Sequence, residues 1–281
     1  MEELIVLGTG NATVTRCFNT CFALRQGQEY LLVDAGGGNG ILRALEDQKI
    51  PLTHIHHLFV THAHSDHLLG IPWIIRMIGT AMNKGTYEGS LNIYCHRELA
   101  DAIRTITQLT VQAKVCRHFD ERILFHIVED QSRLDILGST FTFLDIQSTK
   151  AKQTGFLCTD PSGLRLAFPG DEPCPDFLFD TFRNAHWMFH EAFCLYEDRD
   201  RFQPYEKHHS TVKDACQLAQ KLQIQNLILW HTEDKDLPHR RKRYETEGKA
   251  FFTGRLYIPA DGEHFLLGDP AFSPLPSPLF S

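Results

Sequence analysis

The sequence predicts an α/β protein, and three observations support this prediction. Short apolar runs of strand length alternate along the chain with longer segments whose apolar residues recur at helical spacing. Glycine-rich and polar turns separate these segments. A group of metal-binding side chains falls where a predicted strand ends and a predicted helix begins, which is where α/β proteins place their chemistry.

The composition is that of an ordinary globular protein. The 281 residues are 42% hydrophobic and 22% charged, which gives room for one large core. No apolar run approaches the roughly 20 residues that cross a membrane, and the N-terminus has no signal-peptide pattern, so we expect a cytoplasmic protein. The formal net charge of −7 gives no general attraction to nucleic acid. The eight cysteines contain no Cys-X-X-Cys pair, which predicts buried, reduced thiols.

The first predicted elements lead up to a glycine-rich turn. Residues 4–7 predict a strand, and the runs at 20–24 and 30–33, joined by a turn at 26–28, predict a hairpin. The segment 34–40 is glycine-rich but lacks the Gly-Lys-Ser/Thr of a nucleotide loop, which favours a turn beside the active site. We expect Asp34, at its start, to hold the following metal-binding loop rather than to bind metal.

The strongest functional signal is the segment 61–70, which reads THAHSDHLLG. It follows a predicted strand at 58–60 and precedes a helical pattern that runs to residue 75. His62 and His64, two apart on extended chain, point the same way and can chelate one cation, whereas Asp66 and His67 at the turn can reach a second. Ser65 is placed to cap the helix. Four such side chains within six positions argue against solvated surface histidines.

The rest of the chain continues the alternation of strands and helices. Two runs, at 124–128 and 140–146, are expected in the second half of the fold. The other predicted strands lie at 91–94, 155–159, 164–168, 226–231, 254–258 and 264–267. Helices are predicted at 97–111 and at 212–222, the second with Ser210 or Thr211 as its cap. A further helix is predicted through the basic run 240–243, which is expected to form a solvated face.

The spacing His62-X-His64-X-Asp66-His67 after an apolar strand resembles the signature of the metallo-β-lactamase superfamily. The order Leu-Gly-Thr-Gly at 7–10, Asn19, and Val-Asp-Ala-Gly at 33–36 resembles the ribonuclease Z branch. His-Glu-Ala-Phe at 190–193 resembles that branch's His-Glu-Ala-Thr motif, with phenylalanine in place of threonine, and His-Ser-Thr at 209–211 resembles another of its motifs.

The resemblance implies a four-layer αββα sandwich with two mixed sheets, as a single domain over residues 1–267 followed by a Pro-rich tail at 268–281. It implies one or two zinc ions, with manganese or iron as alternatives, and it allows a homodimer. Asp171 matches the family's bridging carboxylate, and His231 matches its last metal histidine. The implied metal ligands are His62, His64, Asp66, His67, Asp171 and His231.

The resemblance also implies the catalytic roles. Asp66 would orient or deprotonate a metal-bound water, and Glu191 and His209 would form a carboxylate–histidine pair in which His209 protonates the leaving oxygen. The predicted activity is therefore metal-dependent hydrolysis of a phosphodiester by a metal-bound hydroxide. A lactonase or thioesterase of the same superfamily is the first alternative.

The sequence departs from ribonuclease Z at one metal ligand. Thr149 stands where that branch has a histidine, so the first metal would have His62, His64 and Asp171 but no third terminal ligand. Because threonine is a poor zinc ligand, we expect two metal positions with unequal occupancy. The same departure suggests a second alternative, a metal-binding protein with reduced catalysis.

A second departure concerns the substrate. Ribonuclease Z proteins that bind transfer RNA carry a long protruding arm, and the segments between Thr149, Asp171 and Glu191 are too short to contain it. Together with the negative net charge, this argues against pre-tRNA. It favours a small molecule or a short oligonucleotide as the substrate.

Overall fold

The structure, a computed structural model, describes residues 1–268. The chain forms two compact units, each built on one seven-stranded mixed sheet with helices. Unit 1 comprises Met1–Gly8, Asn19–Glu129 and the segment that begins at Asp261, and unit 2 comprises Thr9–Phe18 and Asp130–Ala260. These two mixed sheets confirm the predicted α/β class. The single domain over 1–267 stays a prediction, and the tail beyond Gly268 lies outside the described residues.

The described residues of unit 1 form seven strands and five α-helices. Its sheet has the order β14-β1-β2-β3-β4-β5-β6, antiparallel from β14 to β3 and parallel from β3 to β6. The strands are β1 Glu3–Gly8, β2 Cys21–Gln26, β3 Glu29–Val33, β4 Ile55–Phe59, β5 Leu91–Cys95, β6 Ile123–Ile127 and β14 His264–Leu266, and the helices are α1 Gly40–Asp47, α2 Ser65–Leu68, α3 Ile71–Lys84, α4 Arg97–Thr110 and α5 Ala113–Cys116.

Unit 2 repeats this pattern of strand directions. Its sheet has the order β13-β12-β11-β10-β9-β8-β7, antiparallel from β7 to β10 and parallel from β10 to β13. The strands are β7 Arg133–Ile136, β8 Ser139–Asp145, β9 Thr154–Thr159, β10 Arg165–Phe168, β11 Trp187–Glu191, β12 Asn226–Trp230 and β13 Arg255–Tyr257, and the helices are α6 Phe179–Phe182, α7 Arg199–Phe202, α8 Val212–Lys221 and α9 Leu237–Gly248.

Most predicted elements are confirmed, including both hairpins, and three expectations are wrong. The strand at 124–128 belongs to unit 1, because the helical crossover from β5 returns it parallel to β5. Helix α2 begins at Ser65 and its N-cap position is the extended His64, so Ser65 is not the cap. By contrast, Thr211 caps α8 in a reciprocal capping box with Asp214, as predicted.

The third wrong expectation concerns the basic run, which is not a wholly solvated face. The Arg240 side chain is buried, and its guanidinium donates to the hydroxyls of Thr9 and Thr232 and to the Pro259 carbonyl. A buried guanidinium needs several acceptors, and these three provide them. Arg240 thus links α9 by a hydrogen bond to the segment Thr9–Phe18 within unit 2.

No helix between residues 1 and 268 has both the length and the apolar character to traverse a lipid bilayer.

Candidate metal and catalytic site

The predicted metal ligands of unit 1 lie together on the connection from β4 to α3. His62, Asp66 and His67 are buried, and His64 is half-buried. The Nε2 atom of His62 lies 2.9 Å from Nδ1 of His64, and the ring centroids of His62 and His67 are 4.2 Å apart. One Asp66 carboxylate oxygen lies 3.3 Å from Nε2 of His67. The structure therefore brings these four side chains together within unit 1.

Asp34 fixes the orientation of this group from the end of β3. One of its carboxylate oxygens accepts the backbone N–H of Thr61 at 2.9 Å. The other accepts the Thr61 hydroxyl at 2.8 Å and Nδ1–H of His67 at 2.7 Å. Because the Thr61 hydroxyl donates to Asp34, its oxygen accepts Nδ1–H of His62, 2.8 Å away. This is the supporting role that the sequence predicts for Asp34.

The bonding pattern assigns the histidine tautomers and tests whether a metal ion fits. With Nδ1 of both His62 and His67 acting as donors, the lone pair of each imidazole is on Nε2. In zinc sites, a metal-binding histidine typically donates one ring N–H to an oxygen acceptor and binds the metal through the lone pair of the other nitrogen. Neutral imidazoles and a carboxylate are also the ligands that zinc prefers. The donor set of unit 1 therefore fits a zinc-type ion.

A close backbone approach holds the glycine-rich loop against the metal-binding segment. The N–H of Gly70 donates to the Gly36 carbonyl at 2.9 Å, and the N–H of Ala35 donates to the His67 carbonyl at 3.1 Å. A Cβ atom on Gly70 would lie 1.8 Å from the carbonyl oxygen of Ala35, so only glycine fits. The Asn19 side chain accepts the N–H of Gly37 at 3.1 Å, which fixes the next turn of the loop.

Unit 2 brings together the two ligands predicted in its part of the chain. Asp171 follows β10 and His231 follows β12, and both are buried. Nε2 of His231 lies 3.6 Å from an Asp171 carboxylate oxygen. The parallel strands β10, β11 and β12 end at one edge of the sheet, which is why residues 60 positions apart in sequence meet there.

Gln153 is a contact of Asp171 that the sequence did not reveal. Its buried side-chain amide donates to the other Asp171 oxygen from the start of β9. Thr149, in the same connection, is exposed. The ammonium of the neighbouring Lys150 lies 3.2 Å from a Glu172 carboxylate oxygen. A long polar side chain directly before a buried strand was the only local signal for Gln153.

Glu191 and His209 lie opposite one another beside His231. Glu191 ends β11 and is fully buried, and one of its oxygens accepts the backbone N–H of Ser210 at 2.6 Å. Its other oxygen lies 3.6 Å from Nδ1 of His209, which is an ion-pair distance and beyond a hydrogen bond. The ring centroids of His209 and His231 are 5.2 Å apart. The predicted pair is thus adjacent to a predicted metal ligand within unit 2.

His190, the neighbouring histidine of the same motif, has a structural role. Its Nε2 accepts the backbone N–H of Cys174 at 3.2 Å, and its Nδ1 donates to the Glu191 carbonyl at 2.6 Å. Both ring nitrogens are therefore engaged by the backbone, and the ring supports the strand end that carries Glu191.

The cysteines were predicted to be buried, reduced thiols, and six are buried, whereas Cys17 and Cys116 are half-buried. All eight lie within the described residues and are free thiols. Burial raises the pKa of Cys95, Cys158 and Cys174 to about 12, so these thiols stay protonated near neutral pH. Burial, followed by the negative charge of Asp34, also raises the pKa of Cys21.

A cavity of about 320 Å³ lies in unit 1 beside the glycine-rich loop. Trp73 and Arg76 of α3 line one side, and Gly37 and Gly38 line another. A Cβ atom on Gly37 would lie 3.8 Å from the Asp66 Cα, so this cavity adjoins the metal-binding segment. Its volume is at the lower end of the range for small-molecule sites.

The chain is similar to known proteins over most of its length. The family described as "Anti-Pycsar protein Apyc1" matches residues 2–255. A ribonuclease Z of Pyrococcus horikoshii is 25% identical over 281 residues, covering 82% of this chain and 86% of that protein. Among solved structures, the metallo-β-lactamase fold protein YhfI from Bacillus subtilis has a TM-score of 0.76 at 19% identity, covering 94% of this chain and 98% of that one. A diphosphatase from the PhnP family has a TM-score of 0.71 at 17% identity, covering 94% and 97%.

These similarities bear on the two family expectations drawn from the sequence. The likeness to YhfI confirms the predicted metallo-β-lactamase fold, and the ribonuclease Z relative confirms the predicted branch. The chain therefore belongs to the family described as Anti-Pycsar protein Apyc1, and with it to the metallo-hydrolases of the metallo-β-lactamase superfamily, in the ribonuclease Z-like branch.

Proposed function

We propose that the protein is a metal-dependent phosphodiesterase that hydrolyses a small phosphodiester or a short nucleic acid. The observation that carries this proposal is the Glu191–His209 pair beside His231. A pair of this kind can protonate a poor leaving group such as an alkoxide. Lactam and thioester hydrolases of the superfamily do not characteristically carry it.

We further propose that the metal ligands are the six that the family motifs predict, which are His62, His64, Asp66, His67, Asp171 and His231. Imidazole and carboxylate groups are the usual zinc ligands in proteins. The histidine tautomers in unit 1 support zinc, and manganese and iron stay as alternatives because they share imidazole and carboxylate ligands.

A bound divalent cation would lower the pKa of a water molecule towards neutrality and stabilise the charge that develops on the phosphoryl oxygens. The chain supplies the proton transfers. Asp66 accepts a proton from the attacking water, whose oxygen forms the new bond to phosphorus. His209 donates a proton to the leaving oxygen as its bond to phosphorus breaks, so no unprotonated alkoxide is released. Because the Glu191 carboxylate faces Nδ1 of His209, Nε2 is the ring nitrogen that donates the proton to the leaving oxygen.

Two observations support a small substrate. Between Thr149 and Glu191, which the structure describes completely, the connection from β9 to β10 is a tight turn closed by bonds between Asp160 and Leu164 at 3.0 and 3.0 Å. The connection from β9 to β10 therefore carries no protruding arm. The cavity beside Gly37 has room for a small group attached to the reacting phosphate. With the net charge of −7, these features argue against pre-tRNA.

The test uses metal-reconstituted protein and a panel of substrates. Cyclic nucleotides, short oligonucleotides and bis(4-nitrophenyl) phosphate are compared with a thioester and a lactone panel. We expect turnover of at least one phosphodiester and none of the thioesters or lactones. Thioester or lactone turnover alone would support the other hydrolase class, and no turnover with zinc, manganese or iron would support the catalytically reduced protein.

Substitution of the proposed acid refines this test. His209→Ala should lower kcat on an alkyl phosphodiester by about 10²- to 10⁴-fold and have much less effect on the nitrophenyl ester, whose leaving group needs no proton. The matched control is His208→Asn, because asparagine tolerates the left-handed φ of 56° at that exposed neighbour. Equal losses on both substrates would remove His209 from the acid role.

A further inference from the structure

The aromatic ring of Phe193 lies flat against the imidazole of His209. Their centroids are 5.1 Å apart and the ring planes differ by 17°. Phe193 occupies the position at which the ribonuclease Z motif has threonine, and a threonine side chain has no ring to stack. The stacked pair is therefore a consequence of this substitution in the motif.

Phe193 is itself firmly held, so it can act as a fixed surface. Its backbone N–H donates to the Ser210 carbonyl at 3.0 Å, and its carbonyl accepts the N–H of Glu233 at 2.8 Å and the Tyr244 hydroxyl at 3.2 Å. Its ring is buried, and the Lys207 ammonium lies 4.9 Å from its centroid. These contacts fix both the backbone and the ring of Phe193.

His209, by contrast, has few polar contacts to set the angle of its ring. Its Nδ1 is 3.6 Å from Glu191, which is too long for a hydrogen bond, and Nδ1 has no other hydrogen-bond partner among the described residues. It follows His208, whose backbone is left-handed with φ 56°, in the connection between α7 and α8. The ring plane of His209 is therefore defined by packing rather than by a directed hydrogen bond.

We propose that Phe193 is a positioning residue that sets the ring plane of His209. This inference rests on the proposed function, in which His209 protonates the leaving oxygen. The stack keeps the imidazole in the plane that directs Nε2 at the leaving group, so fewer orientations are unproductive. The stabilisation typical of a stacked aromatic pair corresponds to a change of roughly 3- to 10-fold in the productive population, and kcat should change by the same factor.

The experiment compares Phe193→Leu, which keeps an apolar side chain without a flat ring, with Phe193→Tyr, which keeps the ring. On an alkyl phosphodiester, the zinc-reconstituted Phe193→Leu protein should lose 3- to 10-fold in kcat with KM unchanged, and Phe193→Tyr should stay within about twofold. Phe202→Leu is the matched control, because the Phe202 ring meets the Phe193 ring edge-on, with centroids 6.3 Å apart, and is not one of the two stacked rings. If Phe193→Leu does not fold, Phe193→Met replaces it.

A double-substitution cycle separates positioning from general damage. Adding Phe193→Leu to His209→Ala should cause no further loss of kcat, because the ring to be positioned is gone. A further loss in that background, or an equal loss on bis(4-nitrophenyl) phosphate, would overturn the inference. If His209→Ala itself has no effect on the alkyl substrate, the proposed function fails, which is a different outcome.

A spectroscopic readout tests the stack without metal or turnover. In metal-free protein with labelled histidine, the ring protons of His209 should be shifted upfield by the face of Phe193, and the shift should disappear in Phe193→Leu and persist in Phe193→Tyr. An unchanged His209 shift in the folded Phe193→Leu protein would overturn the inference.

Discussion

Replacing Asp34 by asparagine should weaken metal binding while leaving the fold intact. The two side chains have the same shape, and asparagine tolerates the left-handed φ of 58° at this position. In Asp34→Asn the amide oxygen can still accept the backbone N–H of Thr61. The NH₂ group then faces Nδ1 of His67, where the wild type has a carboxylate oxygen at 2.7 Å.

The size of the expected loss in metal affinity follows from the tautomer of His67. A donor facing Nδ1 moves the imidazole proton to Nε2, which is the nitrogen that should bind the metal, and that proton must be displaced before binding. Loss of a carboxylate that supports a metal-binding histidine typically lowers metal affinity by 10- to 100-fold, or about 1.4 to 2.7 kcal/mol. We expect a loss in this range.

The assay is competition for zinc between the protein and a chromophoric chelator. Asp47→Asn, which changes a half-buried carboxylate at the end of α1, is the matched control and should bind zinc as the wild type does. An Asp34→Asn protein with native circular dichroism and unchanged zinc affinity would refute the tautomer assignment.

Three further predictions concern stability and metal content. Gly70→Ala should destabilise unit 1 by about 3 kcal/mol in urea unfolding, because its Cβ would lie 1.8 Å from a backbone oxygen, whereas Gly38→Ala, with open space around it, should stay within about 0.5 kcal/mol. Burial lowers the pKa of His57 to about 4 from its usual 6.5, so the unfolded chain binds the proton more readily and stability falls as pH falls through this window. Between pH 7 and 5 the metal-free protein should lose about 2 kcal/mol from this group, a loss that His57→Gln should remove, and an unchanged pH dependence in that variant would contradict the assignment. Protein purified without added zinc should hold fewer than two equivalents per chain by elemental analysis, because in the proposed ligand set the first metal has no third terminal ligand. Two tightly bound equivalents would show that the missing histidine has little effect on metal affinity.

Local sequence patterns predicted those parts of the site that are local. The segment 61–70 places His62, Asp66 and His67 within six positions, so a short stretch of chain determines their grouping. Thr211 was likewise recognisable as a cap, because a capping box spans only four residues. The start of α2 was misplaced by one residue, since serine and an extended histidine at the helix start give similar local signals.

Features that depend on distant partners were missed. The run that forms β6 is apolar in either sheet, and its place is decided by the crossover from β5. Arg240 is charged and was expected in solvent, but its acceptors lie at Thr9 and Pro259, far away in the sequence. The contact of Gln153 with Asp171 is of the same kind, because no spacing rule connects the two.

The pairing of β1 with β14 has a consequence for how the protein is made. Glu3 pairs with Leu266, so β1 is synthesised more than 250 residues before β14, the strand that completes its side of the sheet. Until then one edge of β1 has unpaired backbone donors and acceptors, which is the kind of edge that captures strands from other chains. Nascent chains shortened before residue 264 should therefore be more prone to aggregate during synthesis than the full-length protein.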